Sequence, residues 1–430
     1  PNLIAMLYST PNDSLYNKQY TCNNSTLYPN AGINTEEAWD IIPKGGRYTV
    51  RCGVFDTGID WEHAEFGCVN ADSSTSKIHG WDPQYLKKTK DWAHGEDFKN
   101  HGTPVGGIIA AQRNNTRGIA GVAGGNDSLG TKGIHLFSLR LFSANGGPHW
   151  GFHAPLNYIA NSMYQSTLPP SQPIYLPGHD PYAPEYSFQL HLQNHSWGLY
   201  VPPMDTGAFQ HHPLNISLFS EAAHKVNRMG VTSVVARGNG PLPVNGAFTL
   251  NPTGSTYSYP ANCDDDWVIC VTGTGLDGKF IRTGTLTPFL GASNGEFTSS
   301  YGGDIDIAAP ASASMIVTTG SKYFPADSSY VAFNGTSASA PFVTGAVGLM
   351  MSYLNDTANI NSYSNMAPED CEAILQLSAT DIDSTGYDRI TGFGRLNVGK
   401  AMRLIEKPYY KLRHFGTNNR FSYSINKTLL

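Results

Sequence analysis

No stretch of this sequence holds enough consecutive apolar residues to cross a bilayer, so a helical membrane span is not expected. Charge is scarce as well: Lys, Arg, Asp and Glu make up 14% of 430 residues and net to −6, which leaves no basic footprint for nucleic acid. Cysteine is thin, with six residues (Cys22, Cys52, Cys68, Cys263, Cys270 and Cys371) and hence no disulfide scaffold. Cys52 reads as a buried thiol, while Cys22 with Cys68, or Cys263 with Cys270, are pairs that could bridge in an oxidising compartment. An initiator Met is missing too, since the sequence opens at Pro1, and a processed or trimmed form without signal peptide or prosegment is the expectation. Gly 45, Pro 27 and Tyr 23 are plentiful beside 40% hydrophobic residues, which describes a loop-rich chain still able to bury a large core.

Apolar strand candidates at 49–55, 134–142, 188–193, 231–236 and 267–273 alternate with helical stretches at 103–112, 153–165, 216–229 and 337–354. Alternation of this kind builds βαβ units on a parallel sheet. Two further helices are expected near 369–378 and 396–406. The fold class expected is α/β, a three-layer, doubly wound, mostly parallel sheet flanked by helices. Residues 1–34 read as an N-terminal arm, 35–406 as one decorated domain, and 407–430 as a C-terminal extension. Pro-studded or Gly-rich insertions are placed at 143–187, 241–257 and 275–290, where they adjoin the expected crevice.

Residues capable of chemistry fall at the ends of these elements. Phe333-Asn334-Gly335-Thr336-Ser337-Ala338-Ser339-Ala340-Pro341 runs into the apolar segment Phe342 to Met350, which sets Ser337 in the first turn of a small-residue helix. Backbone N–H groups there lack intrahelical partners and can face an oxyanion. Asp56 ends an apolar strand in Asp56-Thr57-Gly58-Ile59-Asp60, and His101 precedes a second apolar helix. Asn239 follows the strand Val231 to Ala236, where its amide could join the Ser337 N–H as an oxyanion donor. In an open parallel sheet these positions share one edge. Any one of them alone is more often a turn-former, a helix cap or a structural histidine; a nucleophile, base, orienter and oxyanion donor together are hard to explain that way.

The order Asp56, His101, Ser337 and the flanking blocks Val54 to Asp60, His101-Gly102-Thr103, Ala236 to Gly240 and Gly335 to Pro341 resemble the subtilisin-like serine proteases. The resemblance covers most of the chain between about Pro11 and Ile405. It implies a serine endopeptidase in which Ser337 attacks, His101 is the base, Asp56 orients it and Asn239 holds the oxyanion. It also implies a zymogen with a lost propeptide, polypeptide substrates, a monomer, and secretion to the extracellular space or cell surface. Asn194-His195-Ser196-Trp197-Gly198 resembles the family's substrate-binding strand end, so Asn194, Ser196, Trp197 and Gly198 are expected to receive an extended peptide. Trp197 is equally readable as core. Pro104 and Ala338-Ser339-Ala340 depart from common family residues beside the site.

A calcium site is implied in the same way. Asn114 to Ala123 resembles the calcium loop of thermitase-like subtilases, and Thr10 to Asp13 their N-terminal arm. The expected ligands of a structural calcium are Asp13, Glu65 and Asn115, with the carbonyls of Gln112, Arg117 and Ile119. His211-His212-Pro213, by contrast, has no ligand spacing for zinc. Two rivals remain. Asp56-Thr57-Gly58 and Asp205-Thr206-Gly207 are the triplets an aspartic protease would pair, although the second follows no apolar strand. The other rival is a protein of the same fold that binds peptides without cutting them.

Overall fold

A computed structural model describes residues 10–22, 28–72, 74–81, 97–142, 190–201, 213–240, 257–261, 263, 268–281, 298–302, 305–312, 316–324, 329–354, 366–406, 410–414 and 421–425. Along the chain, helix α1 (Thr35–Ile41) precedes strands β1 (Arg51–Asp56) and β2 (Ile78–Trp81), and α2 (Gly102–Ala110) leads to β3 (His135–Arg140). Next come β4 (Leu192–His195), β5 (Leu199–Val201), α3 (Pro213–Arg228), β6 (Thr232–Ala236), β7 (Asn239–Gly240), β8 (Tyr257–Tyr259), β9 (Ile269–Thr274), β10 (Thr298–Ser299) and β11 (Ile307–Pro310). The antiparallel pair β12 (Ile316–Thr319) and β13 (Tyr330–Phe333) precedes α4 (Thr336–Leu354), α5 (Pro368–Ser378) and α6 (Val398–Glu406). Strands β14 (Tyr410–His414) and β15 (Phe421–Ile425) form a hairpin within the expected C-terminal extension.

Seven strands make one parallel sheet in the order β11-β9-β6-β4-β1-β3-β2. Helices cover both faces, which is why β6 and β9 are buried along their whole length and admit, beside apolar residues, only the small hydroxyls of Thr232, Ser233, Thr272 and Thr274. On one face α2 and α4 pack with Val54, Leu192, Val234 and Val271; on the other, Phe55, Leu139 and Val235 meet Ala223 and Val226 of α3. The doubly wound α/β expectation is met. The carboxyl ends of β1, β4 and β6 lie side by side, with Phe55 opposite His195 and His195 opposite Val235. Asp56 therefore opens onto the same edge as the segments that follow β4 and β6.

Elements expected at 49–55, 134–142, 188–193, 231–236 and 267–273 correspond to β1, β3, β4, β6 and β9, with β4 displaced towards its carboxyl end. The helix expected at 153–165 and the insertions at 143–187 and 241–256 lie outside the described residues. Within 275–290, residues 275–281 form a tight turn closed by Gly275 N–H to the Lys279 carbonyl at 2.8 Å. All six cysteines are free buried thiols. Neither Cys22 with Cys68 nor Cys263 with Cys270 is bridged, and burial pushes Cys22 and Cys371 up to about 12. The N-terminal arm is joined to the loop after α2 by a reciprocal pair: Gln19 Nε2 donates to the Ala120 carbonyl at 3.0 Å and Ala120 N–H to Gln19 Oε1 at 2.8 Å.

Candidate active site

Asp56 is the last residue of β1 and is almost fully buried. Its Oδ1 accepts from the Thr57 N–H and lies 2.7 Å from His101 Nδ1. His101 occupies the N-cap of α2 with a side chain about a quarter exposed, at 26%. Close approach of α2 to the turn after β1 depends on Gly102, where a Cβ would come within 2.1 Å of the Gly58 carbonyl oxygen. Two residues that sequence patterns alone did not single out complete this corner. Asp97, fully buried, accepts from the Thr57 hydroxyl at 2.7 Å and the Thr103 N–H at 2.8 Å, and Phe333 at the end of β13 stands edge-on to the imidazole with centroids 5.1 Å apart. A signal for Asp97 was available in its place four residues before His101; Phe333 offered none beyond adjacency to the serine block.

Burial opposes a charge on His101, but the adjacent Asp56 carboxylate and its hydrogen bond, with Asp97 behind them, outweigh it and hold the imidazole above its ordinary value. Such an environment favours proton uptake by the ring, with Nδ1 committed to Asp56 and Nε2 directed away from it. Burial likewise pushes Asp97 up, against the pull of the bonds from Thr103 and Thr57.

Ser337 is the second residue of α4 and is half-buried between fully buried neighbours. Its Oγ donates to the Ser196 carbonyl at 3.0 Å. Among the described residues its backbone N–H has no acceptor, whereas the Thr336 N–H donates to Asn239 Oδ1 at 2.9 Å and the Ala338 N–H to the Gly335 carbonyl at 2.9 Å. Asn239 lies on the short strand β7, paired to Ser299 of β10. Its Oδ1 also accepts from Thr336 Oγ1 at 3.0 Å, which fixes the amide with Nδ2 beside Gly335. Gly335, at φ +80°, is required there because a Cβ would lie 2.9 Å from that Nδ2.

The end of β4 and the segment after it are divided between helix and surface. Asn194 and Ser196 are buried, and their side chains are bonded into α4: Thr344 Oγ1 donates to Asn194 Oδ1 at 2.8 Å, Asn194 Nδ2 to Ser196 Oγ at 3.0 Å, and Ser196 Oγ to the Ser337 carbonyl at 2.9 Å. Trp197 is half-buried against Phe142 and His195, at 6.0 and 5.7 Å between centroids, and Gly198 is half-buried beside it.

The loop after α2 lies apart from this crevice. Asp13 accepts from the N–H groups of Asn114 and Asn115 at 2.9 and 3.2 Å. Glu65, fully buried, accepts from Asn115 Nδ2 at 2.9 Å, the Ile119 N–H at 3.0 Å and the Tyr330 hydroxyl at 2.8 Å. Asp13 is pushed up to about 6, chiefly by burial and further by the Glu65 charge, against its two backbone donors. Two carboxylates converging on one loop and repelling one another are the donor chemistry a hard cation requires, so the residues fit a calcium ion. Asn115 Oδ1 meanwhile accepts from the Arg117 N–H at 2.7 Å, so the amide would have to turn to become a ligand, while the Gln112 side chain donates to Asp127 at 3.0 Å. Among the described residues no group of three or more His, Cys, Asp or Glu forms a metal cluster. His211, His212 and Asp205 lie outside the described residues.

A seven-stranded parallel sheet with an Asp, a His, an Asn and a Ser gathered along one edge is the architecture of a subtilase. The chain belongs to that family, whose model matches residues 48–151 and 157–394. Among its relatives are an extracellular protease of Xanthomonas campestris pv. campestris, 25% identical over 80% of this chain and 50% of that protein. Thermitase of Thermoactinomyces vulgaris is 24% identical over 92% of this chain and 99% of its own length. Fervidolysin of Fervidobacterium pennivorans is 24% identical over 86% of this chain and 42% of its own. The chain spans about half the length of the extracellular protease and less of fervidolysin. Among solved structures, a protease from Pseudoalteromonas arctica shares the fold with TM-score 0.60 and 22% identity, covering 92% of this chain and all of that one, 100%.

Proposed function

We propose that this chain is a secreted serine endopeptidase working through Ser337, His101 and Asp56, with Asn239 and the Ser337 N–H as oxyanion donors. The observation that carries it is the 2.7 Å contact of His101 Nδ1 with Asp56 on the sheet edge where α4 presents Ser337. For attack, the Ser337 hydroxyl swings from the Ser196 carbonyl towards His101 Nε2. The Oγ–carbonyl bond forms as the proton passes to Nε2, and the oxyanion is met by Asn239 Nδ2 and the Ser337 N–H. Collapse expels the amine, which takes that proton, and water then repeats the sequence on the acyl group. An amide in the Asn239 role is worth about 2.7–4 kcal/mol, a value measured in subtilisin itself and carried over by family.

Substrate pairs as an added strand with the backbone of 196–198, while Asn194 and Ser196 side chains support that segment from within and Trp197 and Gly198 border the cleft. Calcium is structural, held by Asp13, Glu65 and Asn115 with the Gln112, Arg117 and Ile119 carbonyls, and serves the loop rather than the reaction. The enzyme is made as a zymogen and works as a monomer. Secretion is supported by relatives named extracellular proteases; among the described residues no helix is long and apolar enough to cross a membrane.

The test is labelling by a fluorophosphonate probe with mass-spectrometric mapping, alongside hydrolysis of a peptide library. Labelling at Ser337, lost in Ser337→Ala together with hydrolysis, is the expected result. Peptide binding without labelling or cleavage would favour the non-catalytic relative instead.

A further inference from the structure

We infer that Ser196 is a positioning residue for the nucleophile, acting as a side-chain cap on the Ser337 carbonyl that Pro341 leaves without its helical donor. This rests on the serine-peptidase proposal. In a regular α-helix the carbonyl of one residue accepts from the N–H four residues on. For Ser337 that residue is Pro341, inside α4, which has no N–H to give. Ser196 Oγ donates to this carbonyl at 2.9 Å from a site that is itself 1% exposed. A neighbouring element thus supplies the bond the helix cannot.

The direction of that bond is fixed rather than incidental. A hydroxyl has a single proton. Because Asn194 Nδ2 donates to Ser196 Oγ at 3.0 Å, the Ser196 proton is left for the Ser337 carbonyl. The Asn194 amide is in turn tied to the same helix further along by Thr344 Oγ1, whose one proton is nearer Asn194 Oδ1, at 2.8 Å, than its other acceptor, the Ala340 carbonyl, at 3.1 Å. The circuit leaves α4 at Thr344, crosses Asn194 and Ser196, and returns to α4 at Ser337. It ties the first turn of α4 to the carboxyl end of β4 at both ends of the run. The Ser196 backbone closes the relationship from the other side, since its carbonyl receives the Ser337 Oγ at 3.0 Å. One residue therefore sets where the Ser337 Cα–Cβ bond points and where its hydroxyl rests before attack.

The experiment is a double-mutant cycle on the full chain, with Ser196→Ala and Pro341→Ala. Pro341→Ala restores an N–H at the position that would serve the Ser337 carbonyl, which should make the Ser196 hydroxyl dispensable. Readouts are kcat and KM on an amide substrate and the second-order rate of Ser337 modification by a fluorophosphonate. Ser196→Ala is expected to lower kcat and the modification rate on the order of tenfold, with KM within about twofold. In the Pro341→Ala background the same substitution is expected to lower them less than about threefold, and Ser196→Thr, which keeps a hydroxyl, should retain most activity. Equal losses from Ser196→Ala in both backgrounds, or a loss confined to KM, would overturn the inference. If Ser196→Ala alone does not fold, recovery of folded, active protein in the double variant supports the cap, and failure of the double variant rejects it. An unlabelled wild-type Ser337 is a separate outcome, because it removes the serine-peptidase proposal first and the positioning role with it.

Discussion

The Thr57 hydroxyl donates to the buried Asp97 carboxylate at 2.7 Å and at the same time accepts from the Gly102 N–H at 2.9 Å. The residue after the proposed orienting carboxylate is thereby fastened to the helix that carries the proposed base. Against burial, which lowers it, the Asp56 carboxylate and its hydrogen bond, and behind them Asp97, hold His101 above its ordinary value. A base must be neutral to accept a proton, so activity rises as pH passes upward through the His101 value. Asp97→Asn removes a negative charge and lowers that value. The acid limb of the kcat/KM profile is expected to move to lower pH by up to about one unit; a limb unchanged or moved upward would show that Asp97 acts only through packing.

Gly335 separates the Asn239 amide from the backbone entering α4. Gly335→Ala places a Cβ 2.9 Å from Asn239 Nδ2 in a residue held at φ +80°. Displacing that donor is expected to lower kcat by about 10²–10³ with little change in KM. Combined with Asn239→Ala, the two losses should fall well short of multiplying. Steady-state kinetics on the single and double variants decide it; full multiplication would mean that Gly335 matters for another reason.

Asp13 is a carboxyl whose folded value, about 6, stands above its unfolded one. Its sign follows directly: the favourable contribution is complete below about pH 4 and is lost as pH rises to about 6. In chelator, thermal stability is therefore expected to fall across that window. Added calcium should restore it above pH 6, and Asp13→Asn should flatten both responses. Melting curves with and without chelator measure this, and stability indifferent to chelator and calcium would remove the proposed ion.

Lys77 is fully buried, with Nζ donating to the carbonyls of Ala110 at 2.8 Å and Gly124 at 2.7 Å. Burial lowers it to about 7, against the pull of Glu65. The unfolded chain then holds a proton that the folded chain has released, between about pH 7 and pH 10, so stability from this group rises with pH there, by about 1.4 kcal/mol per unit at most. Urea unfolding of wild type and Lys77→Met at pH 7 and pH 9 should give a smaller pH increment in the variant. Equal increments would mean that Lys77 stays charged in the folded state.

The strands of the main sheet were legible because a doubly covered parallel sheet makes them short and mostly apolar, as in β1, β6 and β9. β4 was displaced in the expectation because Gln193, Asn194 and His195 are polar yet buried, which the bonds of Asn194 to Ser196 and Thr344, the 3.2 Å contact of Gln193 with His195 and the stacking of His195 on Phe55 make tolerable. β11 was hidden by Pro310, tolerable on an edge strand. β12 and β13 gave little signal because they are short, β13 is only partly buried, and their role is to back α2 and His101 rather than to join the main sheet. For the site, residue types and order marked Asp56, His101, Asn239 and Ser337. What no one-dimensional pattern carried was direction: that Asn194 and Ser196 turn their side chains into α4, and that the Ser337 hydroxyl rests on a carbonyl.

The parallel topology has one more consequence, for the timing of synthesis. β1 and α2 emerge early, whereas α4, with its hydroxyl, is added late and packs under strands from several earlier stretches. Long-range pairings of this kind form slowly. A nascent chain on the ribosome thus carries the proposed base and its carboxylate before the proposed nucleophile, and proteolysis by that mechanism would have to wait for α4.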